Sequence, residues 1–300
     1  MLYVIIILLF LLLIFIGEKS LDIVVKPKRF SFDEMREYEI NNGFAEDIDA
    51  YENTWDREEF LIKCDGADIS GEIIRNPENK DNRVVIVCHG HTANRLACIK
   101  YANMFYKRGF HAVIYDERHF GKSTGDYCTL GDKECDDLIK IFNFVKEKFN
   151  NPIIFLHGES MGAATVLLSL KYINPEGVVA DCPFCDSERL YKEFIKQNLR
   201  IPAALIFPVV NLIAKLQYRY DIRQTSPIKA IRNTDVPICF MHGKADTLID
   251  CDHSKQLYAV CKNPKSRLYL FDDAIHAYSV VKDKDRYEKL LNDFIDSIIE

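Results

Sequence analysis

The chain has 300 residues, of which 48% are hydrophobic, enough to bury the core of one large α/β domain. Its formal net charge is −6, and no stripe of basic residues interleaved with aromatic residues occurs, so nucleic acid is not expected as a partner. The ten cysteines lack the spacing of a secreted disulfide framework, which favours a reducing compartment.

The first residues, MLYVIIILLFLLLIFIG, are apolar without a break. As a helix they would reach about 25 Å, slightly less than the ~30 Å hydrocarbon core of a bilayer. A cleaved signal peptide is the alternative, but no basic segment precedes the run and IFIGEKS is a poor cleavage site. We predict that residues 1–17 form an uncleaved, single-span membrane anchor. Because Lys19, Lys26, Lys28 and Arg29 follow it, the positive-inside rule places the rest of the chain in the cytoplasm.

Residues 18–59 are predicted to be a juxtamembrane linker with some helix, because the stretch from Phe30 to Trp55 is polar and acidic. A folded domain is predicted from residue 60 to residue 300. It begins with two strands in EFLIKCDGADISGEIIRN, around the turn Asp65–Gly66. RVVIVCHG is a buried strand, and a helix follows from about Asn94 to Arg108.

The next segments alternate between strand and helix. FHAVIYDERHFGKST is a strand that runs into a loop, and Asp132 to Phe149 has helical periodicity. Ile153 to Leu156 is a short buried strand, Met161 to Leu170 is a helix rich in small residues, and EGVVADCPF is a strand. This alternation predicts an α/β fold with a mostly parallel, doubly wound sheet covered by helices on both faces.

The alternation lapses from about residue 186 to residue 228. ERLYKEFIKQNLRIPAALIFPVVNLIAKLQYRY has a helical pattern that we expect Pro202 and Pro208 to break, and it is apolar from Ile201 to Leu216. Strands return with VPICFMHG and SRLYLF, and a helix from about Asp283 to Ile299 ends the chain. We predict a short helical cap inserted between strands of the sheet.

The pattern G-x-S-x-G places Ser160 between Gly158 and Gly162 at a predicted strand-to-helix turn. Such a turn strains its central residue, and the glycines remove Cβ atoms that would clash. The Ser160 hydroxyl would then stand above the sheet as a nucleophile. An ordinary glycine-rich turn is the alternative. The two interpretations differ in that a nucleophilic serine also requires an acid and a histidine in suitable places.

Both groups follow later strands. MHGKADTLI places Asp246 just past one strand, and DDAIHAYS places His276 just past the next. Because ligands bind at the carboxyl ends of strands in an open α/β sheet, Ser160, Asp246 and His276 are the predicted catalytic residues. Asp250 and Asp252 are alternative acids. Asp272 and Asp273 are predicted surface turn residues, and His89, His157 and His242 are predicted to be packed and hydrogen-bonded.

The loop HGHTANR follows an earlier strand and supplies the predicted oxyanion hole. The backbone N–H groups of His91 and Met161 are its expected donors, with Thr92 as the less favoured second donor. His91 is expected to contribute its backbone, although its side chain could line the pocket.

DCPFCD contains the pattern C-x-x-C at Cys182 and Cys185. The pair lies at the end of a strand, not at the start of a helix, and no second C-x-x-C completes a zinc site. Neither redox nor metal function is expected of it.

With these residues assembled, the sequence resembles the α/β-hydrolase superfamily from about Phe60 to Ile299. HGHTANR, YDERHFGKSTG, HGESMG, HGKADTLI and AIHAY occur in the superfamily's order. Within it, the chain is similar to membrane-associated serine hydrolases of the Bem type and to serine-aminopeptidase-like lipases. The resemblance implies the triad given above and a structural loop near the active site formed by Asp116, Arg118, Gly121 and Ser123. His119-Phe120 departs from the Gly-His or Asn-His of many relatives.

We predict a membrane-tethered serine hydrolase that cleaves a carboxylic ester or thioester through an acyl-enzyme on Ser160. The apolar cap favours a small-molecule or lipid-like acyl substrate, unless the cap helix simply packs on the core. A serine peptidase or amidase is the alternative enzyme, and a catalytically silent binding protein with a hydrolase fold is the alternative outside enzymology. No cofactor or metal is expected, because the triad needs none and no G-x-G-x-x-G or P-loop pattern occurs.

Overall fold

An eight-stranded sheet organises the fold. The computed structural model describes residues 1–199 and 202–299. The strands are β1 (Asp56–Cys64), β2 (Ala67–Arg75), β3 (Arg83–Cys88), β4 (His111–Tyr115), β5 (Ile153–Glu159), β6 (Gly177–Asp181), β7 (Ile238–Gly243) and β8 (Arg267–Phe271). They lie in the order β1-β2-β4-β3-β5-β6-β7-β8. β2 pairs antiparallel with β1 and β4, and the other neighbours are parallel, so the predicted mostly parallel sheet is confirmed.

Helices cover both faces of this sheet. They are α1 (Leu2–Val25), α2 (Phe32–Glu39), α3 (Ala45–Asn53), α4 (Ile99–Tyr106), α5 (Asp132–Lys148), α6 (Met161–Ser169), α7 (Ser187–Leu199), α8 (Ala203–Tyr218), α9 (Pro227–Ile231), α10 (Asp252–Ala259), α11 (Ser279–Lys282) and α12 (Lys284–Ile299). Alternate residues of β3 face two apolar clusters. Val85 and Val87 pack with α3, α4 and α12, whereas Val84 and Ile86 pack with α5 and α6. The doubly wound arrangement is therefore confirmed.

Helix α1 is longer than the predicted anchor. It continues past Gly17 to Val25, because apolar residues recur in its last turns and pack on the domain. Gly17 lies against α8, where a Cβ would meet Val209 Cγ1 at 3.2 Å and Ile213 Cδ1 at 3.4 Å. By length and composition, the stretch Tyr3–Val25 is able to cross a membrane.

The segment predicted as a linker, residues 18–59, is part of the folded domain, so that prediction was wrong. A capping box starts α2: Ser31 Oγ accepts from the Glu34 N–H, and Glu34 Oε2 accepts from the Ser31 N–H. Gly43, at φ 93°, turns the chain into α3. Most of the acidic residues are exposed, although Glu39 and Asp47 are buried. This acidic composition obscures a buried apolar stripe at helical spacing, which consists of Phe44, Ile48, Tyr51 and Trp55.

The region predicted as a cap holds α7, α8 and the start of α9, between β6 and β7. The expected break at Pro208 was wrong, because α8 continues through it. Pro208 lies inside the helix and, lacking an N–H, leaves the Ala204 carbonyl without its usual intrahelical donor. Pro202 lies just before the helix, as expected of a helix boundary. Ile201, the first residue of the predicted apolar stretch, is outside the described residues.

Candidate active site

Ser160 lies at the turn between β5 and α6, where the backbone is strained. Its φ of 55° and ψ of −111° are rarely adopted by residues with a Cβ. The turn is so tight that a Cβ on Gly158 would lie 2.3 Å from Gly162 O, and one on Gly162 would lie 2.3 Å from Cys88 O. The Ser160 N–H donates to Asp181 O at 2.8 Å and ties the turn to β6. Packing therefore requires the glycine spacing that was recognised in the sequence.

The structure brings Ser160, His276 and Asp246 into one hydrogen-bonded line. Ser160 Oγ lies 2.8 Å from His276 Nε2, and His276 Nδ1 lies 2.7 Å from Asp246 Oδ2. His276 follows β8 and Asp246 follows β7, so both reach the carboxyl edge of the sheet where Ser160 stands.

Four donors converge on the Asp246 carboxylate. Oδ2 accepts from His276 Nδ1 and, at 3.2 Å, from His242 Nε2. Oδ1 accepts from the N–H groups of Leu248 at 2.9 Å and Ile249 at 2.8 Å. Burial alone would raise the pKa of Asp246, but the hydrogen bonds from His242, His276 and Ile249 outweigh it and hold this pKa well below its ordinary value. The ionised carboxylate makes His276 Nδ1 a donor and leaves Nε2 as an acceptor.

The alternative acids lie outside this line. Asp250 and Asp252 are exposed, and Asp250 Oδ1 accepts from the Asp252 N–H at 2.8 Å. Asp272 is an exposed partner of Lys244, and Asp273 occupies a turn at φ 56°. The prediction that Asp272 and Asp273 are surface turn residues is confirmed.

The expected oxyanion donors, His91 and Met161, lie beside Ser160. Met161 is the first residue of α6, so its N–H has no carbonyl acceptor within the helix. The His91 ring makes a contact that was not predicted: its Nε2 lies 2.8 Å from Val24 O, at the end of α1. Burial lowers the pKa of His91, so the neutral ring donates Nε2–H to this carbonyl.

The same loop is also bonded to the chain that follows α1. Thr92, the less favoured second donor, adopts φ 71°, and its carbonyl accepts from the Phe30 N–H at 2.9 Å. The Cys128 N–H donates to Val25 O at 2.9 Å. The end of α1 is therefore fixed directly to the loops around Ser160.

A cavity of about 670 Å³ opens beside Ser160. Its wall combines the end of α1, helix α7 and the loop after β7, and is largely apolar: Ile23, Val24, Tyr191, Phe194, Leu248 and Ile249. The contributions of α1 and α7 were missed in the sequence. The spacing of Leu190, Tyr191 and Phe194 indicates an apolar face on α7, although nothing in the sequence shows what this face lines.

A second cavity of about 320 Å³ also borders Ser160 and is more polar. Lys100 Nζ lies in its wall, 2.8 Å from Glu39 Oε1 and 3.6 Å from Glu159 Oε2. Burial disfavours the ammonium ion, but the two carboxylates raise the pKa of Lys100 above its ordinary value. This cavity was not predicted, because Tyr38 and Glu39 belong to the segment interpreted as a linker.

The loop that the resemblance implied, after β4, is held by buried polar contacts. Arg95 Nε and Nη2 donate to Asp116 Oδ2 at 3.0 and 2.7 Å, and the Arg95 N–H donates to Oδ1 at 2.7 Å. Ser123 Oγ donates to Asp116 O at 2.6 Å. Gly121, at φ 52°, lies over the carboxylate, where a Cβ would be 2.1 Å from Asp116 Cγ. These contacts support a structural role for the loop.

The rest of this loop shapes the floor below the oxyanion loop. Arg118 Nε and Nη2 donate to the two carboxylate oxygens of Asp137 at 2.7 and 2.6 Å. The buried Phe120 ring packs edge-on against the rings of His89 and His91, with centroids 5.6 and 5.9 Å away. The departure at residues 119 and 120 thus places an aromatic ring under His91.

The remaining strand-end histidines are structural, as predicted. His89 Nε2 accepts from the Glu117 N–H at 2.9 Å. His157 Nε2 lies 3.0 Å from Tyr287 Oη, and burial lowers the pKa of His157 to about 3. His242 packs behind Asp246 and donates to it.

Cys182, Asp246 and His276 each place one potential ligand atom within 4.8 Å of the others, which is a donor set suitable for zinc. Two of these residues already share the 2.7 Å hydrogen bond between Asp246 Oδ2 and His276 Nδ1. Burial raises the pKa of the Cys182 thiol well above its ordinary value, which disfavours the thiolate that a metal requires. The chemistry of this set fits a hydrogen-bonded site better than a metal centre.

Asp181, behind the nucleophile, provides a pH-dependent prediction. Burial and the nearby Glu159 charge raise the pKa of Asp181 to about 7, from an ordinary value of 3.8. Between these values the folded chain holds a proton that the unfolded chain has lost, so this group lowers stability as pH rises. We expect Asp181→Asn to increase the free energy of unfolding relative to wild type by on the order of 3 kcal/mol more at pH 8 than at pH 4. Urea unfolding across this range, with the exposed Asp235→Asn as control, checks it; a pH-independent difference contradicts it.

A doubly wound sheet with a strained serine turn after β5, an acid after β7 and a histidine after β8 is the α/β-hydrolase fold. The chain belongs to the hydrolase family described as serine aminopeptidase, S33, whose family model matches residues 79–232.

Two relatives and one solved structure are similar to this chain. The protein YqkD of Bacillus subtilis is 32% identical over 293 residues, which cover 96% of this chain and 90% of YqkD. YfhR of Escherichia coli K12 is 29% identical over 249 residues, 79% of each chain. An esterase of Pyrococcus furiosus superposes with a TM-score of 0.69 at 22% identity, over 84% of this chain and 94% of the esterase. At this identity, the solved structure shows a shared fold.

Proposed function

We propose that this protein is a serine hydrolase that cleaves a carboxylic ester or thioester through an acyl-enzyme on Ser160. The observation that carries the proposal is the hydrogen-bonded line from Ser160 through His276 to Asp246, placed at the wall of the apolar cavity of about 670 Å³. A volume of this size lies within the ~300–1,000 Å³ range of small-molecule sites.

The geometry supports a two-step reaction. His276 Nε2 accepts the Ser160 proton as Oγ attacks the carbonyl carbon, and then returns it to the leaving alcohol or thiol. Asp246 holds the imidazole by its Nδ1–H and stabilises the imidazolium that forms. The N–H groups of Met161 and His91 stabilise the tetrahedral oxyanion, with the start of α6 favouring its negative charge. Water, activated by His276, then attacks the acyl-enzyme and releases the acid.

The two cavities suggest separate binding sites for the acyl chain and the leaving group of the substrate. An acyl chain fits the apolar cavity, where Tyr191 and Phe194 of α7 face the end of α1. The smaller cavity offers Lys100 and its carboxylate partners to a polar leaving group. Ester chemistry is favoured over peptide cleavage because the larger cavity offers mostly apolar contacts to the acyl side.

Membrane attachment completes the proposal. Helix α1 is long and apolar enough to cross a bilayer. Lys19, Lys26, Lys28 and Arg29 lie at its carboxyl end and beyond, so the positive-inside rule places the hydrolase domain in the cytoplasm.

A series of 4-nitrophenyl esters tests the activity. We expect kcat/KM to rise with acyl length, by up to about fourfold for each methylene that enters the apolar cavity, because burial of a CH₂ contributes ~0.8 kcal/mol. Ser160→Ala should abolish both hydrolysis and labelling by a fluorophosphonate probe, whereas Ser297→Ala on α12 should change neither.

The same protein preparations are assayed on esters with acyl chains of two to sixteen carbons and on an aminoacyl 4-nitroanilide. Cleavage of the anilide alone would indicate a peptidase, and an inert, unlabelled Ser160 would indicate a binding protein.

A further inference from the structure

Helix α1 packs on the domain over its second half. From Leu13 onwards it packs on the domain, with Leu21, Val24 and Val25 buried and Gly17 against α8. The part of the helix before Leu13, residues 2–12, extends about 17 Å, which is less than the ~30 Å thickness of the hydrocarbon core. The whole helix extends about 36 Å. If α1 crosses the bilayer, part of the segment that packs on α8 must therefore lie within the membrane.

Helix α8 has an exposed apolar face in this position. Leu205, Leu212 and Leu216 are 61%, 56% and 75% exposed, and their spacing places them on one side of the helix. No charged residue occurs between Ala203 and Ala214. The opposite side of α8 is already buried in the domain through Ile206, Phe207 and Val210. Packing on the core therefore does not account for the exposed leucines.

The mouth of the larger cavity adjoins α1. Ile23 of α1 and Leu248, from the loop after β7, both line the cavity and are 59% and 51% exposed. Lys19, Lys26 and Lys28 also border the cavity, at the position where a helix leaving a membrane meets lipid headgroups.

We propose that a lipid bilayer covers the exposed leucine face of α8 and that the catalytic cavity opens at its surface, so that the acyl substrate enters from the membrane. This inference rests on the proposed ester hydrolysis. A bilayer is favoured over a second copy of the chain because the face is continuous with α1, a helix of membrane-spanning length, and ends at basic residues. Helix α1 then acts both as the anchor and as one wall of the acyl site.

The position of α8 is measured without reference to activity. Trp55 is the single tryptophan, so Trp55→Phe provides a background for Leu212→Trp in the full chain, reconstituted in vesicles of phosphatidylcholine and phosphatidylglycerol at three to one. We expect lipids with brominated acyl chains to quench the new tryptophan by at least half. Leu61→Trp on the edge strand β1, which replaces a leucine of similar exposure, 62%, should not be quenched. Acrylamide quenching without lipid quenching would overturn the proposal in favour of an aqueous face, and protection from both quenchers in favour of a second protein copy.

The route of entry is measured with two esters. Leu205→Gln, Leu212→Gln and Leu216→Gln are combined, because glutamine keeps helix propensity and none of the three residues lines the cavity. We expect at least a tenfold loss in hydrolysis of 4-methylumbelliferyl oleate held in the vesicles, and less than a twofold change for water-soluble 4-nitrophenyl butyrate. The control variant combines Leu61→Gln with Tyr172→Gln, two exposed residues outside α1 and α8, and should change neither rate. Equal oleate rates in the two variants would overturn the proposal. A wild-type protein that cleaves neither ester would instead reject the proposed function, while the quenching result still locates α8.

Discussion

Replacing Asp246 by asparagine should lower kcat for ester hydrolysis by roughly 10⁴-fold, with little change in KM. The N–H groups of Leu248 and Ile249 both donate to Oδ1, so they will hold the amide oxygen of an asparagine at that site. The NH₂ group must then occupy the place of Oδ2, facing His276 Nδ1. Because an NH₂ group donates, the imidazole is forced to carry its proton on Nε2, where it can no longer accept from Ser160.

The kinetics of Asp246→Asn on 4-nitrophenyl butyrate check this expectation. Asp250→Asn is the matched control, because it removes the same charge from an exposed residue in the same loop and should stay within twofold of wild type. A loss below tenfold in Asp246→Asn would contradict the assigned hydrogen-bond directions. A comparable loss in Asp250→Asn would show that the loop, and not the carboxylate, is the sensitive element.

The sheet and the residues around Ser160 could be predicted from the sequence because each is marked by a short local sequence pattern. A buried strand such as RVVIVC is apolar after Arg83 because helices cover both faces. The G-x-S-x-G pattern marks the Ser160 turn within five residues, although the close contact of Gly162 is with Cys88 of β3. Asp246 and His276 were found because each follows a strand, and the parallel strands bring their carboxyl ends to one edge.

The walls of the site could not be read in this way because they depend on contacts between distant segments. The bond from His91 Nε2 to Val24 O and the packing of Gly17 on Val209 join parts of the chain that carry no shared sequence signal. The error at residues 18–59 was avoidable, since Ser31 and Glu34 form a recognisable capping box and Phe44 begins an apolar stripe at helical spacing. Acidic composition was given more weight than periodicity.

Replacing Arg95 by methionine should lower the free energy of unfolding by about 3–5 kcal/mol, and the thermal midpoint by roughly 10 °C. The side chain of Arg95 is 1% exposed, and those of Asp116 and Glu72 are 0% and 5% exposed. Its guanidinium also donates to Ser70 Oγ at 2.7 Å. Methionine fills similar space but leaves the Asp116 carboxylate buried with only backbone donors, including the Lys122 N–H, and without a counter-ion.

Two further variants separate the buried charge from the loss of packing. Arg95→Met combined with Asp116→Leu removes both charges and should recover part of the stability, because a buried ion pair is far more costly to break than to replace with apolar side chains. Arg36→Met, which removes an exposed arginine paired with Glu52, should leave the midpoint nearly unchanged. Thermal unfolding of the full chain in detergent gives all three values. If Arg95→Met lowers the thermal midpoint no more than Arg36→Met does, the ion pair does not hold the loop after β4.

Because Arg95 is only four residues beyond His91, Arg95→Met should also disturb the oxyanion loop and lower kcat more than it raises KM.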